Sequence, residues 1–567
     1  MKQKLALALT LSLLILSVQT SALGQEKNPA PRTGVVVGKS ASQPAIGRRA
    51  GRFNSVAVPV IEKDFEEALR LVQENYVDGR RLDYSQVFKS SILGMLRSLD
   101  PHSSYYDREE YEELKTEQRS EYFGIGASIQ NYLVRDTVDT YITSTFRGSP
   151  AWRGGLRYGD RIIAVDGVKV TGKSSLEVRN RIRGPRGSLV RVTIERSSDR
   201  KTQVVSITRD SVAQPSVPDA YMIKPGVGYI DMTRGFNYTT SDELREALEV
   251  LRANGASSLV LDLRNNPGGF LDQAIRVAEV FLPYGQLILT QKGRHGLRDN
   301  TYRSKNRSAD STPLVILIND STASASEIVA GAMQDHDRAL IVGETSFGKG
   351  LVQSIIPLEH GGGLTLTSAK YYTPSGRLIQ RDYADHGLYD YFTHGGSRRT
   401  DEKMKPVGPE RKTDTGRAVY GGGGITPDEP ANPREITTAQ RRLVSPLFAF
   451  TCDLVNGRIV GMGHYRVPGG INFSHELQDQ EFRVDHKTLK MFEDYLATEP
   501  ALAHLAPLVQ RNRSFIQLQL RYNVVTAAYG RTMADRVLVV TEDEQIARAI
   551  EMLPRAKDLA IAAMSRR

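Results

Sequence analysis

Cysteine is nearly missing from this chain: Cys452 is the single one in 567 residues, so no intrachain disulfide can form. No His, Cys, Asp and Glu cluster has metal-ligand spacing, so no metal or other cofactor is expected. Tryptophan is single as well, Trp152. Long apolar runs are absent; the longest, Leu5 to Val18, has 14 residues, short of the ~20 that a spanning helix needs. The basic excess is small, +10, and forms no long run, and no base-reading motif accompanies it, which excludes nucleic acid as the expected partner. What remains is an ordinary globular composition, 40% hydrophobic and 25% charged, on a chain long enough for three or four domains.

The first 24 residues are expected to be a secretory signal. Lys2 and Lys4 precede the apolar stretch, and Ala22-Leu23-Gly24 offers a small-x-small site with cleavage after Gly24. A retained anchor is the alternative, so membrane association stays open. No cysteine follows the site, which argues against a lipoprotein, and the expected location is a bacterial periplasm or envelope. Residues 25–57, rich in Pro, Gly, Ser and Arg, read as a disordered linker.

Residues 58–121 form an expected helical unit, with Phe65, Leu69, Val72 and Tyr76 on one face and Val87, Ile92, Met95 and Leu96 on another. LDPHSSYY (99–106) interrupts it, because Pro101 disfavours helix at Asp100. Asp100 and His102 read as a hydrogen-bonded turn. Residues 122–210 then change to short β-rich runs punctuated by glycine, with one helix after Ser174. The loop Phe123-Gly124-Ile125-Gly126 ahead of a strand can turn several N–H groups toward one anion, such as a peptide carboxylate, while the strand takes the peptide by β-addition. With SPAWRGGLRYGDRIIAVDG (149–167), this unit resembles a PDZ domain.

From 211 to 435 strands alternate with helices, as α/β layers do. Expected strands are 227–232, 258–263, 313–318 and 339–342, with 363–368 as an outer strand; helices are expected at 241–253 and 271–281. Residues 383–423 are a polar insertion, and 436–567 a mostly helical extension. Asp262 to Gly269, DLRNNPGG, places two glycines directly after a strand, where either Gly268 or Gly269 could present an oxyanion donor. The richest stretch is NDSTASASEIVAGAMQDHDRALIVGETSFGKGLVQ (319–353). Ser321 and Thr322 suit the cap of a helix that buries Ile328, Ala332 and Met333. Four serines crowd it, Ser321, Ser324, Ser326 and Ser346, and spacing alone does not choose among them. Lys349 sits between glycines, and His336, at the far end of the helix, reads as structural.

Taken together, residues 60–430 closely resemble the carboxyl-terminal processing (tail-specific) proteases of family S41, which use a Ser–Lys dyad. The resemblance implies a multidomain α+β chain: an N-terminal helical region, a PDZ domain, an α/β crotonase-like (ClpP/crotonase-type) protease core and a helical extension. It maps the nucleophile onto Ser324, the general base onto Lys349 and the residue orienting the lysine onto Gln353. The oxyanion donors map onto the N–H of Ala325 and of Gly268, with Gly269 as the neighbouring choice. Residue chemistry agrees: a lysine serves as base only if burial lowers its pKa, and a Gln in place of an acid avoids holding it protonated. Implied substrates are proteins chosen by their C-termini, with the PDZ domain binding the tail and gating the dyad; an adaptor protein and a homodimer are further partner expectations. The rival readings are an inactive PDZ-containing scaffold and a Ser–His–Asp hydrolase on the same frame.

Overall fold

The computed structural model describes residues 57–118, 121–134, 136–296, 299–383, 391–392, 408–541 and 543–565. The expected signal, most of the linker, and 384–390 and 393–407 of the insertion lie outside the described residues.

The helices Val58–Asn75 and Tyr84–Arg97 form where the periodicity predicts, but their apolar stripes are not core: the first buries nothing and the second only Leu96. What this unit contributes is a strand. After the Asp100 turn, Ser104–Tyr106 pairs antiparallel with Gly363–Tyr372, inside the sheet of the downstream domain.

The glycine-punctuated unit folds as a sheet in the order Ala127–Val134, Thr137–Thr145, Arg161–Val165, Leu189–Glu195, Thr202–Thr208. Its helix, Ser175–Ile182, starts at a reciprocal cap between Ser174 and Glu177. Ile142, Ile162, Val178, Val190 and Val192 fill its core. The chain leaves this unit through two strand pairs: Asp210–Ala213 pairs with Glu121–Gly124, and Asp219–Lys224 with Val227–Asp231.

The downstream core is a six-stranded sheet in which Val227–Asp231, Ser258–Asp262, Leu314–Ile318, Leu340–Gly343 and Glu429–Pro430 run parallel. Every residue of Leu314–Ile318 is buried, and each such side chain contributes roughly 1.5–3 kcal/mol, so the end of this strand is firmly placed. Helices Thr240–Ala253, Leu271–Phe281 and Ala325–Asp335 cover one face. The other face is covered by the last helix, Glu544–Ser565, through Ile546, Ala549, Leu553 and Ala556 on Val260, Val315, Leu317 and Val342. The extension that began at 436 therefore ends as a layer of the core itself. A second sheet holds Gly363–Tyr372 between Ser104–Tyr106, Leu351–Pro357 and Leu287–Gly293. The expected outer strand 363–368 is thus a longer, central one; its alternation reflects one buried face, which an inner strand of a two-faced sheet shares with an edge. No helix among the described residues is long and apolar enough to cross a membrane.

Candidate active site

Two neighbouring strands, Ser258–Asp262 and Leu314–Ile318, end in loops that are stitched together. The N–H of Asn265 donates to Asn319 Oδ1 at 2.8 Å, and Asn319 Nδ2 to Asn265 Oδ1 at 2.9 Å. The N–H of Ala323 donates to the Asn266 carbonyl at 2.9 Å. Thr322, expected near the helix cap, instead donates its hydroxyl to the Leu263 carbonyl at 2.8 Å. The cap falls on Ser324, and the helix begins at Ala325. Ser324 has φ 55° and ψ −115°, a conformation that side chains other than glycine rarely adopt.

The other serines separate by environment. Ser326 is buried and donates to the Asn266 carbonyl at 3.2 Å; Ser346 is buried and donates to Glu327 Oε1 at 2.5 Å. Ser321 donates to Asp320 Oδ1 at 3.1 Å. Ser324 stays partly exposed at the mouth of the two loops.

Glu327, one turn into the helix, ties this turn to the lysine loop. Its carboxylate, 0% exposed, accepts from the N–H of Ser324 and of Lys349 at 2.8 Å each, and from the N–H of Gly348 at 2.7 Å. Burial raises its pKa, opposed by the Ser346 hydroxyl and these N–H groups. Tyr371 makes a second tie: its hydroxyl lies 2.6 Å from the Lys349 carbonyl and 3.1 Å from the Ser324 carbonyl. Burial pushes that phenol well above its usual range, so it stays a donor. The backbone of Ser324 and that of Lys349 are therefore held by the same two side chains.

Lys349 is lowered to about 8 by burial, against the opposing charges of Glu327 and Asp100. Its flanking glycines have steric reasons: Gly348 has φ 90°, and a Cβ there would meet the Gly424 nitrogen at 3.0 Å. At Gly424, in turn, a Cβ would overlap the Ser346 carbonyl, which explains the last glycine of GGGG before ITPDE.

The N–H of Ala325 makes no hydrogen bond among the described residues. Gly268 faces it: a Cβ at Gly268 would lie 2.7 Å from Ala325 N and 2.8 Å from Ser324 Cβ. The Gly268 N–H, however, donates to Asn266 Oδ1 at 2.9 Å, closing an Asx turn, whereas the Gly269 N–H has no partner among the described residues. Gln353 is not joined to Lys349 by a hydrogen bond; it sits at a bulge, Val352/Gln353, and its Nε2 donates to Thr367 Oγ1 at 3.2 Å, while Oε1 has no partner among the described residues.

The DPHS turn is hydrogen-bonded as expected, Asp100 accepting from the N–H of His102 and Ser103 at 2.8 Å each. It nevertheless lies at the site: the Asp100 charge acts on Lys349, and the Lys349 charge acts on His102. Asp100, His102, Glu327 and Tyr371 are the site residues that sequence reasoning misses: four polar side chains on a turn, a helix and a strand, with no spacing to connect them. His336 sits far from it, between Asp414 Oδ2 at 2.8 Å and the Leu287 carbonyl at 2.7 Å. Among the described residues no group of His, Cys, Asp or Glu could hold a metal ion.

In the upstream unit, the Gly126 carbonyl accepts from Ser149 Oγ at 2.8 Å and the Ile125 carbonyl from the Ala151 N–H at 2.6 Å. Among the described residues the N–H groups of Ile125 and Gly126 have no acceptor, and Phe123 and Gly124 pair with Ser211 and Asp210. The adjoining strand Ala127–Val134 is a sheet edge.

Residues 226–386 match the sequence model of peptidase family S41, and residues 141–196 that of a PDZ domain. A carboxy-terminal-processing protease of Bartonella bacilliformis is 39% identical over 307 residues, covering 53% of this chain and 68% of that protein. A carboxyl-terminal-processing protease of Synechocystis sp. is 37% identical over 315 residues, 55% of this chain and 72% of that one. Among solved structures, the photosystem II D1 C-terminal processing protease is 26% identical, covering 66% of this chain and 94% of that one at a TM-score of 0.35. This chain belongs to peptidase family S41, as a carboxyl-terminal-processing serine protease with a PDZ domain.

Proposed function

We propose that the protein is an exported serine endopeptidase whose dyad is Ser324 and Lys349. The observation that carries this is the double tie of Glu327 and Tyr371 to the backbone of both residues, around a lysine that burial has lowered to about 8. At pH 7 such a lysine is neutral in roughly one molecule in ten, against fewer than about one in a thousand for an ordinary lysine. Neutral Lys349 Nζ takes the Ser324 hydroxyl proton as Oγ bonds to the peptide carbonyl carbon. The resulting ammonium returns that proton to the leaving amine as the C–N bond breaks, and water resolves the acyl-enzyme by the same route in reverse. The Ala325 N–H, at the positive end of its helix, is one oxyanion donor. Gly269 is the second, because Asn266 occupies the Gly268 N–H; Gly268 supplies the close approach. Gln353, anchored through Nε2, has Oε1 left to accept one amine hydrogen and orient Lys349.

The N–H groups of Ile125 and Gly126, without an acceptor among the described residues and beside an edge strand, support capture of a substrate C-terminal carboxylate by the PDZ domain. The Ser–His–Asp alternative is disfavoured by geometry: His102 Nε2 is engaged by Tyr391, and Asp100 bonds backbone N–H groups, not the imidazole. Parallel strands between helices on both faces, with a second sheet that carries the Lys349-side strand Leu351–Pro357, support a crotonase-like reading of the core. Residues 1–24 support export to a bacterial envelope.

The test uses purified protein on a peptide with a free apolar C-terminus. Ser324→Ala and Lys349→Ala each abolish cleavage in this account; full activity in Lys349→Ala overturns the dyad. Amidating the peptide's C-terminus should raise KM, and unchanged cleavage would sink the PDZ role.

A further inference from the structure

The polar insertion has no part in the chemistry above, yet among its described residues Tyr391 reaches the lysine loop. Tyr391 is 1% exposed. Its ring meets Phe347 edge-on at 5.4 Å and His102 at 5.5 Å between centroids. Its hydroxyl lies 2.7 Å from His102 Nε2 and accepts from Gln380 Nε2 at 3.2 Å. Gln380 Oε1 accepts the N–H of Gly350 at 2.8 Å. Arg381 gives its own N–H to the Gly348 carbonyl at 2.8 Å and lays its guanidinium 5.0 Å from the Phe347 ring centre. Both peptide neighbours of Lys349 are thus tied to residues that also hold Tyr391. His102 comes from the opposite direction, on the Asp100 turn that Ser103 Oγ fastens to the N–H of Thr367 at 3.0 Å.

We propose that Tyr391 and His102 are a pair of positioning residues that forms a neutral, water-excluding wall of the Lys349 pocket. This rests on the Ser324–Lys349 reading and gives the insertion a role in it. Among the described residues, the charges acting on the lysine are Glu327 on the nucleophile helix and Asp100 on the turn, and the lysine acts on His102; Tyr371 holds its carbonyl, and Arg381 and Tyr391 stand by the lysine loop. The two carboxylates favour the ammonium, and only exclusion of water outweighs them. The wall adds no third counter-charge. Burial, then the charge of Lys349, keeps the His102 imidazole well below its usual range and so uncharged at working pH, and burial holds the Tyr391 phenol above its own.

The test is the pH dependence of kcat/KM for wild type, Tyr391→Phe, Tyr391→Ala and His102→Ala, with thermal unfolding of each. Tyr391→Phe keeps the ring and the wild-type midpoint. Tyr391→Ala and His102→Ala admit water, so their midpoints move alkaline by about one unit; activity at pH 7 falls roughly tenfold and recovers toward about pH 10. A purely structural loss lowers the plateau without moving the midpoint. Wild-type midpoints in both alanine variants overturn the proposal; should Tyr391→Ala not fold, His102→Ala decides alone. If wild type lacks a limb near pH 8, or Lys349→Ala stays active, the dyad reading falls, and the wall with it.

Discussion

Ser324 is held at φ 55°, where a residue with a side chain costs roughly 1–3 kcal/mol, and the surroundings show what holds it there. Glu327 fixes its N–H and Tyr371 its carbonyl, so the turn cannot relax without breaking contacts that also hold Lys349. Tyr371→Phe should therefore lower stability by about 1 kcal/mol, and cut kcat/KM roughly tenfold, as peptide kinetics alongside thermal melts would show. Gly268→Ala puts a methyl group within van der Waals overlap of Ser324 Cβ and the Ala325 nitrogen. We expect kcat to fall at least about a hundredfold, the scale of losing one oxyanion donor, with circular dichroism unchanged. Lys349→Arg should be inactive at every pH up to about 10, because a guanidinium does not release its proton.

At the scale of elements, much was legible. Leu271–Phe281 falls where its apolar spacing puts it, and the strands feeding the two site loops lie within a residue or two of their apolar runs. The glycines of NNPGG and FGKG mark positions where backbone or side chains come too close for a Cβ. What periodicity could not show is which element each apolar face meets. Ile546 and Leu553 lie on one helical face, apart from any motif, and the surface they bury on is a sheet formed some 200 to 300 residues earlier, a pairing no local pattern encodes. Nor does the three-residue Ser104–Tyr106 carry enough pattern to be told from a loop, although it brings His102 to the site. Because the last helix is a layer of the core, Leu553→Asp should destabilise the whole protease domain by about 3 kcal/mol or more rather than loosen a tail. Equal chemical denaturation midpoints for this variant and wild type would contradict that.

At the scale of the molecule, the helical extension touches both functional parts. Its final helix lies on the protease sheet, while Phe448, on the helix Thr438–Val455, stacks on Tyr132 of the PDZ edge strand at 3.8 Å. Ser445 on the same helix accepts the Leu133 N–H at 3.2 Å. The strand that a substrate tail would extend is thus braced from the C-terminal side. Phe448→Ala should raise KM for peptides with a free C-terminus several-fold, while the rate of Ser324 labelling by a small fluorophosphonate stays unchanged; a slowed labelling rate would place the defect in the core instead. The proposed dyad requires a neutral Lys349 to take the Ser324 proton, and the most direct measurement is kcat/KM of the wild-type enzyme against pH. Because the base must be unprotonated, activity should climb with rising pH through a single limb centred near 8. A limb near 6.5, the ordinary histidine range, or a flat profile across 7 to 9 would contradict it.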